Sequence, residues 1–181
     1  CPDGGNSSWY FDSPIDNTMK YETYISKELI EIIDKKYNTV SDKKGRAIAG
    51  LSMGGHGALY LAFKHQDIWG ACGSMSGGVD IRPFHNNWDI SMRLGPFADN
   101  IETWEENTVI NLVYLLEGNL KIIFDCGYDD FFYQVNKELH QKLLEIGVSH
   151  DYIERPGGHN WDYWSNAIKY HLVYFNDYFG G

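Results

Sequence analysis

Gly50-Leu51-Ser52-Met53-Gly54 sets one serine between two glycines. A short apolar run, Arg46-Ala47-Ile48-Ala49, leads into it, and a pattern rich in alanine and leucine runs on from Gly54 to about His65. A G-x-S-x-G string with a strand before it and a helix after it predicts a sharp turn with the serine hydroxyl exposed at its tip. Glycines at the flanking positions keep side chains from striking the strand or the helix in so tight a turn. The amino end of the following helix then presents free N–H groups and partial positive charge. The N–H of Met53, next after the serine, is the expected oxyanion donor. These parts together suit nucleophilic attack on an acyl carbon.

A serine hydroxyl needs a base to take its proton. Among the histidines, His159 stands in Arg155-Pro156-Gly157-Gly158-His159-Asn160-Trp161, a loop whose two glycines let it fold back over a sheet edge. His65, His140, His150 and His171 fall on helix surfaces or ends and are expected in solvent. His56 reads as a packed histidine bonded to backbone, and His85 as a surface residue. The acid that orients the base is expected in Cys126-Gly127-Tyr128-Asp129-Asp130-Phe131. Position favours Asp130 over Asp129, because Asp130 lies further round the turn and has Phe131 and Phe132 to shield it; Asp125, inside a strand, is expected to point elsewhere. The chain order serine, acid, histidine is one of the orders in which such a set occurs.

The elements that must position these residues alternate. Helical spacing spans about Met19 to Tyr37, with Ile25, Leu29, Ile32 and Ile33 on one face. Strands are expected at Arg46–Ala49, Ala71–Met75, Lys121–Cys126 and His150–Glu154, and helices at Gly54–His65, Val135–Ile146 and Trp161–Phe179. Residues 80–118 hold prolines, asparagines and aromatics without a clean period, and read as an insertion with short helices within one domain spanning residues 1–181. Strands alternating with helices imply an α/β fold with a parallel sheet, whose sites gather beyond the carboxyl ends of the strands. Ser52, Asp130 and His159 each follow such an end.

Composition narrows the class. The 181 residues are 43% hydrophobic and 22% charged, with a formal net charge of −10. That acidity argues against a nucleic-acid partner. No apolar run approaches the ~20 residues of a membrane span. Cys1, Cys72 and Cys126 fit neither a zinc site nor a disulfide framework, and the last two read as buried thiols. No signal peptide is visible, and the chain reads as beginning in mid-fold.

The chain resembles the esterase family that includes feruloyl esterases, tributyrin-type acyl esterases, S-formylglutathione hydrolase and the mycolyltransferases. The likeness runs through Pro2-Asp3-Gly4-Gly5 with Trp9-Tyr10, Ala47 to Leu59, Ser74-Met75-Ser76-Gly77-Gly78, Cys126-Gly127 with Asp130, and Gly157-Gly158-His159 with Trp161 and Trp164. It implies an α/β-hydrolase fold and a serine carboxylic-ester hydrolase working through an acyl-enzyme, with Ser52 as nucleophile, His159 as base and Asp130 as acid. It also strengthens Asp130 over Asp129. No metal or cofactor is implied. Trp9, Tyr10, Trp88 and Trp161 are candidates to line an acyl or sugar pocket, and a feruloyl or acetyl ester on plant polysaccharide is the favoured substrate. An S-formylglutathione hydrolase-like thioesterase, an acyltransferase and an inactive binding fragment are the alternatives. Family members have strands before the Pro-Asp-Gly loop and a His-Gly loop that supplies a second oxyanion donor. Neither is visible here, so the chain is expected to be partial, with an apolar sheet edge at Arg46–Gly50 open to pairing with another copy.

Overall fold

A computed structural model describes residues 1–180. The first helix, α1, spans residues 21–36 and is π-helical at Tyr24–Glu28, so its apolar face turns off the regular helical period midway. β1 (Ala47–Leu51) runs two residues past the expected end and takes Gly50 into the strand. α2 (Met53–Lys64) begins directly after Ser52. β2 is Ala71–Met75. Residues 79–118 contain the short helices α3 (Ser91–Leu94) and α4 (Ile101–Glu106) with 3-10 turns before, between and after them, the longest at Val109–Leu115. β3 (Lys121–Gly127), α5 (Tyr133–Glu145), β4 (Asp151–Arg155) and α6 (Trp161–Tyr178) complete the chain.

The four strands pair in parallel in the order β1-β2-β3-β4. Parallel neighbours require crossovers, and α2, the 79–118 segment and α5 supply them. Side chains alternate across the sheet with period two. Cys72, Ile122, Phe124 and Cys126 enter the main core with Leu59, Phe63, Leu139 and Leu143 of α2 and α5. Met75 on the opposite face meets Tyr163, Trp164 and Ala167 of α6, a much smaller apolar cluster. Helices on both faces of a parallel sheet are what its central strands require, β2 being buried throughout and β3 beyond Lys121.

One histidine departs from expectation. His171 was expected in solvent and is fully buried. It continues the stripe Tyr163, Trp164 and Ala167 at helical spacing on the face of α6 that lies on the sheet. The spacing was visible in the sequence; the polarity of the residue hid it. His140 and His150 are in contact with one another, Nδ1 of the first 2.8 Å from Nε2 of the second.

β1 is an edge strand. Beside it runs an open groove of about 550 Å³, lined by Leu29, Ile33, Val40, Ala47, Leu172 and Phe179 among others.

Leu59 is fully buried between α2 and the sheet, whereas Ile32 is more than half exposed. Leu59→Ala should lower the unfolding free energy in urea by about 2–5 kcal/mol. Ile32→Ala should change it by less than about 0.5 kcal/mol.

Candidate active site

Ser52 stands between the carboxyl end of β1 and the amino end of α2. Its backbone has φ 55° and ψ −119°, which a residue with a Cβ adopts only under constraint. Two hydrogen bonds impose it: the Ser52 N–H donates to Met75 O at 2.9 Å, and Ser52 O accepts from the His56 N–H at 3.0 Å. The turn is so tight that a Cβ on Gly50 would run into the backbone of Gly54. Met53 is the first residue of α2, a position whose N–H has no intrahelical acceptor.

The histidine arrives from the loop between β4 and α6. Asn160 caps α6 by accepting from the Tyr163 N–H at 3.0 Å, which ends the loop immediately after His159. The acid arrives from the turn after β3. That turn and the histidine loop are tied by backbone: the Tyr128 N–H donates to Arg155 O and the Asp129 N–H to Gly157 O, both at 3.0 Å. Asp129 is thereby turned outward, and Asp130 is buried. Asp130 Oδ1 accepts from the Phe132 N–H at 2.8 Å. Its Oδ2 accepts from His159 Nδ1–H at 2.9 Å. A carboxylate only accepts, so the proton lies on Nδ1 and Nε2 is free to accept in turn. Nε2 lies 2.8 Å from Ser52 Oγ. The three side chains form one continuous hydrogen-bonded line from a buried carboxylate to a hydroxyl at a helix amino end. Such a line can withdraw a proton from the hydroxyl as it attacks an electrophile.

A family model described as "Putative esterase" matches residues 1–175. The chain belongs to this esterase family. It is 27% identical over 177 residues to an acetyl esterase of Caldicellulosiruptor saccharolyticus, covering 91% of this chain and 66% of that one. It is 26% identical over 208 residues to the diacylglycerol acyltransferase/mycolyltransferase Ag85B of Mycolicibacterium smegmatis, covering 93% and 63%. A solved structure of a ferulic acid esterase superposes with a TM-score of 0.80 at 32% identity, covering 94% of this chain and 64% of that one. The chain thus spans just under two thirds of the length of these esterase-family relatives. The parallel sheet flanked by helices is the α/β-hydrolase fold of this group.

Not every aromatic residue singled out in the sequence reaches this esterase-family site. Trp9, expected in a substrate pocket, is 2% exposed. It sits in the core with its ring 5.3 Å from His56, held there by left-handed backbone at Trp9 and Tyr10. Tyr10 is half-buried beside the turn at Ser52, its hydroxyl 3.8 Å from where a Cβ on Gly54 would be. Trp161 is 70% exposed and packs edge-on against Trp164, whose ring lies 4.9 Å from that of His159. Closer to the hydrogen-bonded line is Phe131, its ring centroid 4.3 Å from His159. Trp88 stacks on Phe131 at 5.6 Å, and both rings are well exposed. In the sequence Phe131 is expected only as a shield for the acid. Its place directly after Asp130 in a turn signalled that it would border the same histidine.

His56 is bonded to backbone as expected, with Nδ1–H donating to Gly78 O at 3.0 Å. Burial pushes Cys72 and Cys126 up and keeps both as thiols, so neither offers a competing nucleophile. No group of three or more His, Cys, Asp or Glu among the described residues is placed to hold a metal ion. No helix among them is long and apolar enough to cross a membrane.

Two outcomes follow from the packing behind Ser52. Gly50→Ala should destabilise the fold by about 1–3 kcal/mol, read from its urea midpoint, because the added methyl has no room. Burial lowers His56 from its ordinary 6.5 to about 4. Between those values the unfolded chain takes up a proton that the folded one refuses, so stability falls as pH drops from about 6.5 to 4. The loss attributable to His56 is about 3 kcal/mol. Urea unfolding of the chain and of His56→Gln between pH 7 and 4 should show a shallower decline in the variant.

Proposed function

We propose that the chain is the catalytic part of a serine carboxylic-ester hydrolase that works through an acyl-enzyme. The 2.8 Å contact between His159 Nε2 and Ser52 Oγ, continued by the bond from Nδ1 to Asp130, carries this reading. Ser52 Oγ attacks the ester carbonyl while His159 Nε2 takes its proton. The buried Asp130 carboxylate holds the imidazole in the required tautomer and stabilises its cation without itself taking the proton. The Met53 N–H, at the positive end of α2, stabilises the oxyanion. The tetrahedral adduct collapses, the alcohol leaves with the proton from His159, and the acyl group stays on Ser52. Water then gives up a proton to His159 and attacks the acyl carbon; Ser52 recovers that proton as the acid departs.

For the substrate we favour a feruloyl or acetyl ester of plant polysaccharide. The exposed Trp88 and Phe131 rings beside His159 supply a flat apolar wall on which an aryl or sugar ring can stack. Relatives are described as an acetyl esterase and a ferulic acid esterase. Transfer of the acyl group to an alcohol is the second reading, favoured by the relative described as an acyltransferase. The same acyl-enzyme serves both, and product analysis with added sugar separates them.

A fluorophosphonate probe should label the chain, and Ser52→Ala should abolish both the labelling and the turnover of p-nitrophenyl acetate. Turnover surviving in Ser52→Ala would overturn the mechanism. Asp130→Asn should lower kcat by about three to four orders of magnitude with the fold intact. Phe131→Ala should raise KM for a feruloyl ester about tenfold and leave KM for an acetyl ester nearly unchanged, the loss of one stacking contact.

A further inference from the structure

The mechanism above uses one aspartate–histidine pair, and the protein contains a second. Asp125 Oδ2 accepts from His171 Nε2–H at 2.6 Å, and both side chains have no exposure at all. The pair lies between the sheet and α6, on the face opposite the main core. Period-two alternation sends Phe124 and Cys126 into the main core and Asp125 to the α6 face. The histidine ring is confined on its other side as well. A Cβ on Gly73 of β2 would lie 2.5 Å from His171 Nδ1 and 2.9 Å from Phe175 Cζ, so only glycine there admits the ring.

The two elements that this pair joins are the ones that deliver His159 and Asp130. β3 continues from Asp125 to its end at Gly127, and the chain then turns into Asp130. α6 carries His171 and, one heptad earlier on the same face, Trp164. Trp164 stands edge-on to the His159 ring at 4.9 Å. Its neighbour Tyr163 backs the His159 loop: a Cβ on Gly157 would lie 2.7 Å from Tyr163 Cδ2, and one on Gly127 would lie 3.1 Å from Tyr163 Cε2. A shift of α6 along β3 would therefore move the support of the imidazole relative to its carboxylate.

Apolar packing alone sets that register loosely. The α6 face contributes a small cluster, Tyr163, Trp164 and Ala167 with Met75, and apolar contact has no direction. A buried charge-assisted hydrogen bond does have direction, and its better-attested use is to select one arrangement rather than to add stability.

The geometry points to Asp125 and His171 as positioning residues for the Ser52–His159–Asp130 line: the buried pair locks α6 in register on β3 and so holds His159 between Asp130 and Ser52. This rests on the catalytic reading only for its kinetic consequence. The His159–Asp130 hydrogen bond reports the positioning directly.

The test is the double variant Asp125→Leu/His171→Phe, which replaces the pair by apolar groups of similar shape. Such replacements are often neutral or favourable for stability. Tyr174 Oη–H to Ile122 O at 3.2 Å and Tyr178 Oη–H to Lys43 O at 2.8 Å remain to dock the second half of α6. The readouts are the downfield proton resonance of His159 Nδ1–H, identified by its absence in His159→Ala, together with kcat, KM and the melting temperature. The double variant should melt near the parent, lose or broaden that resonance, and show kcat reduced by about tenfold to a hundredfold with KM little changed. A folded double variant that keeps the resonance and the parent kcat overturns the proposal. Should the double variant not fold, Asp125→Asn keeps the shape and removes the charge. It should weaken the resonance and lower kcat several-fold, and an unaltered resonance and kcat there overturn the proposal equally. A parent chain that hydrolyses no ester, yet whose resonance depends on the pair as described, defeats the catalytic reading and leaves the positioning role standing.

Discussion

Everything at the site depends on the parallel register of four short strands. Because β1, β3 and β4 point the same way, their carboxyl ends fall along one rim of the sheet, and the loops that leave them carry Ser52, Asp130 and His159. Ser52 and Asp130 are separated by 78 positions and His159 follows 29 later, yet one line of hydrogen bonds joins them. An antiparallel neighbour would have sent one of the three loops to the far side. The parallel arrangement in turn demands helical crossovers and apolar cover on both faces, which accounts for α2 and α5 on one side and α6 on the other.

Within that frame, polar bonds with direction do the fine placement. Ser52 is held in a left-handed conformation by backbone bonds to β2 and α2. Asp130 has both carboxylate oxygens occupied, one by the Phe132 N–H and one by His159. The acid turn and the histidine loop are joined by two backbone bonds before their side chains meet. Deeper down, Asp125 and His171 repeat the same chemistry without solvent contact. Apolar packing surrounds each of these but does not by itself choose among neighbouring registers.

Much of this was legible in the residues. The strand, glycine, serine, glycine, helix succession around Ser52 carries its own steric logic, and the glycines of the His159 loop and the carboxylates after Cys126 each follow a strand end. Element boundaries were less legible. β1 extends through Gly50 because its ladder to β2 continues to Leu51 and Met75, a pairing that no local pattern encodes. Trp9 is a pocket candidate in the sequence because aromatic rings stack on flat apolar faces and because it belongs to the family-like loop. Left-handed backbone at two successive residues turns it into the core instead. His171 is expected on a helix surface from its polarity, although its spacing from Trp164 and Ala167 puts it on the buried face.

The sequence by itself determined the alternation of strands and helices, the serine and histidine that would meet at the rim of the sheet, and a choice of carboxylates. Those follow from local sterics and periodicity, which act over a few residues. Only the tertiary structure turned the preference for Asp130 into a hydrogen bond with His159, set Phe131 and Trp88 beside that ring with Trp9 in the core, and joined Asp125 to His171. Each of these is a contact between distant segments. Such contacts depend on strand pairing and helix docking, which are settled by packing over the whole sheet rather than by neighbouring residues.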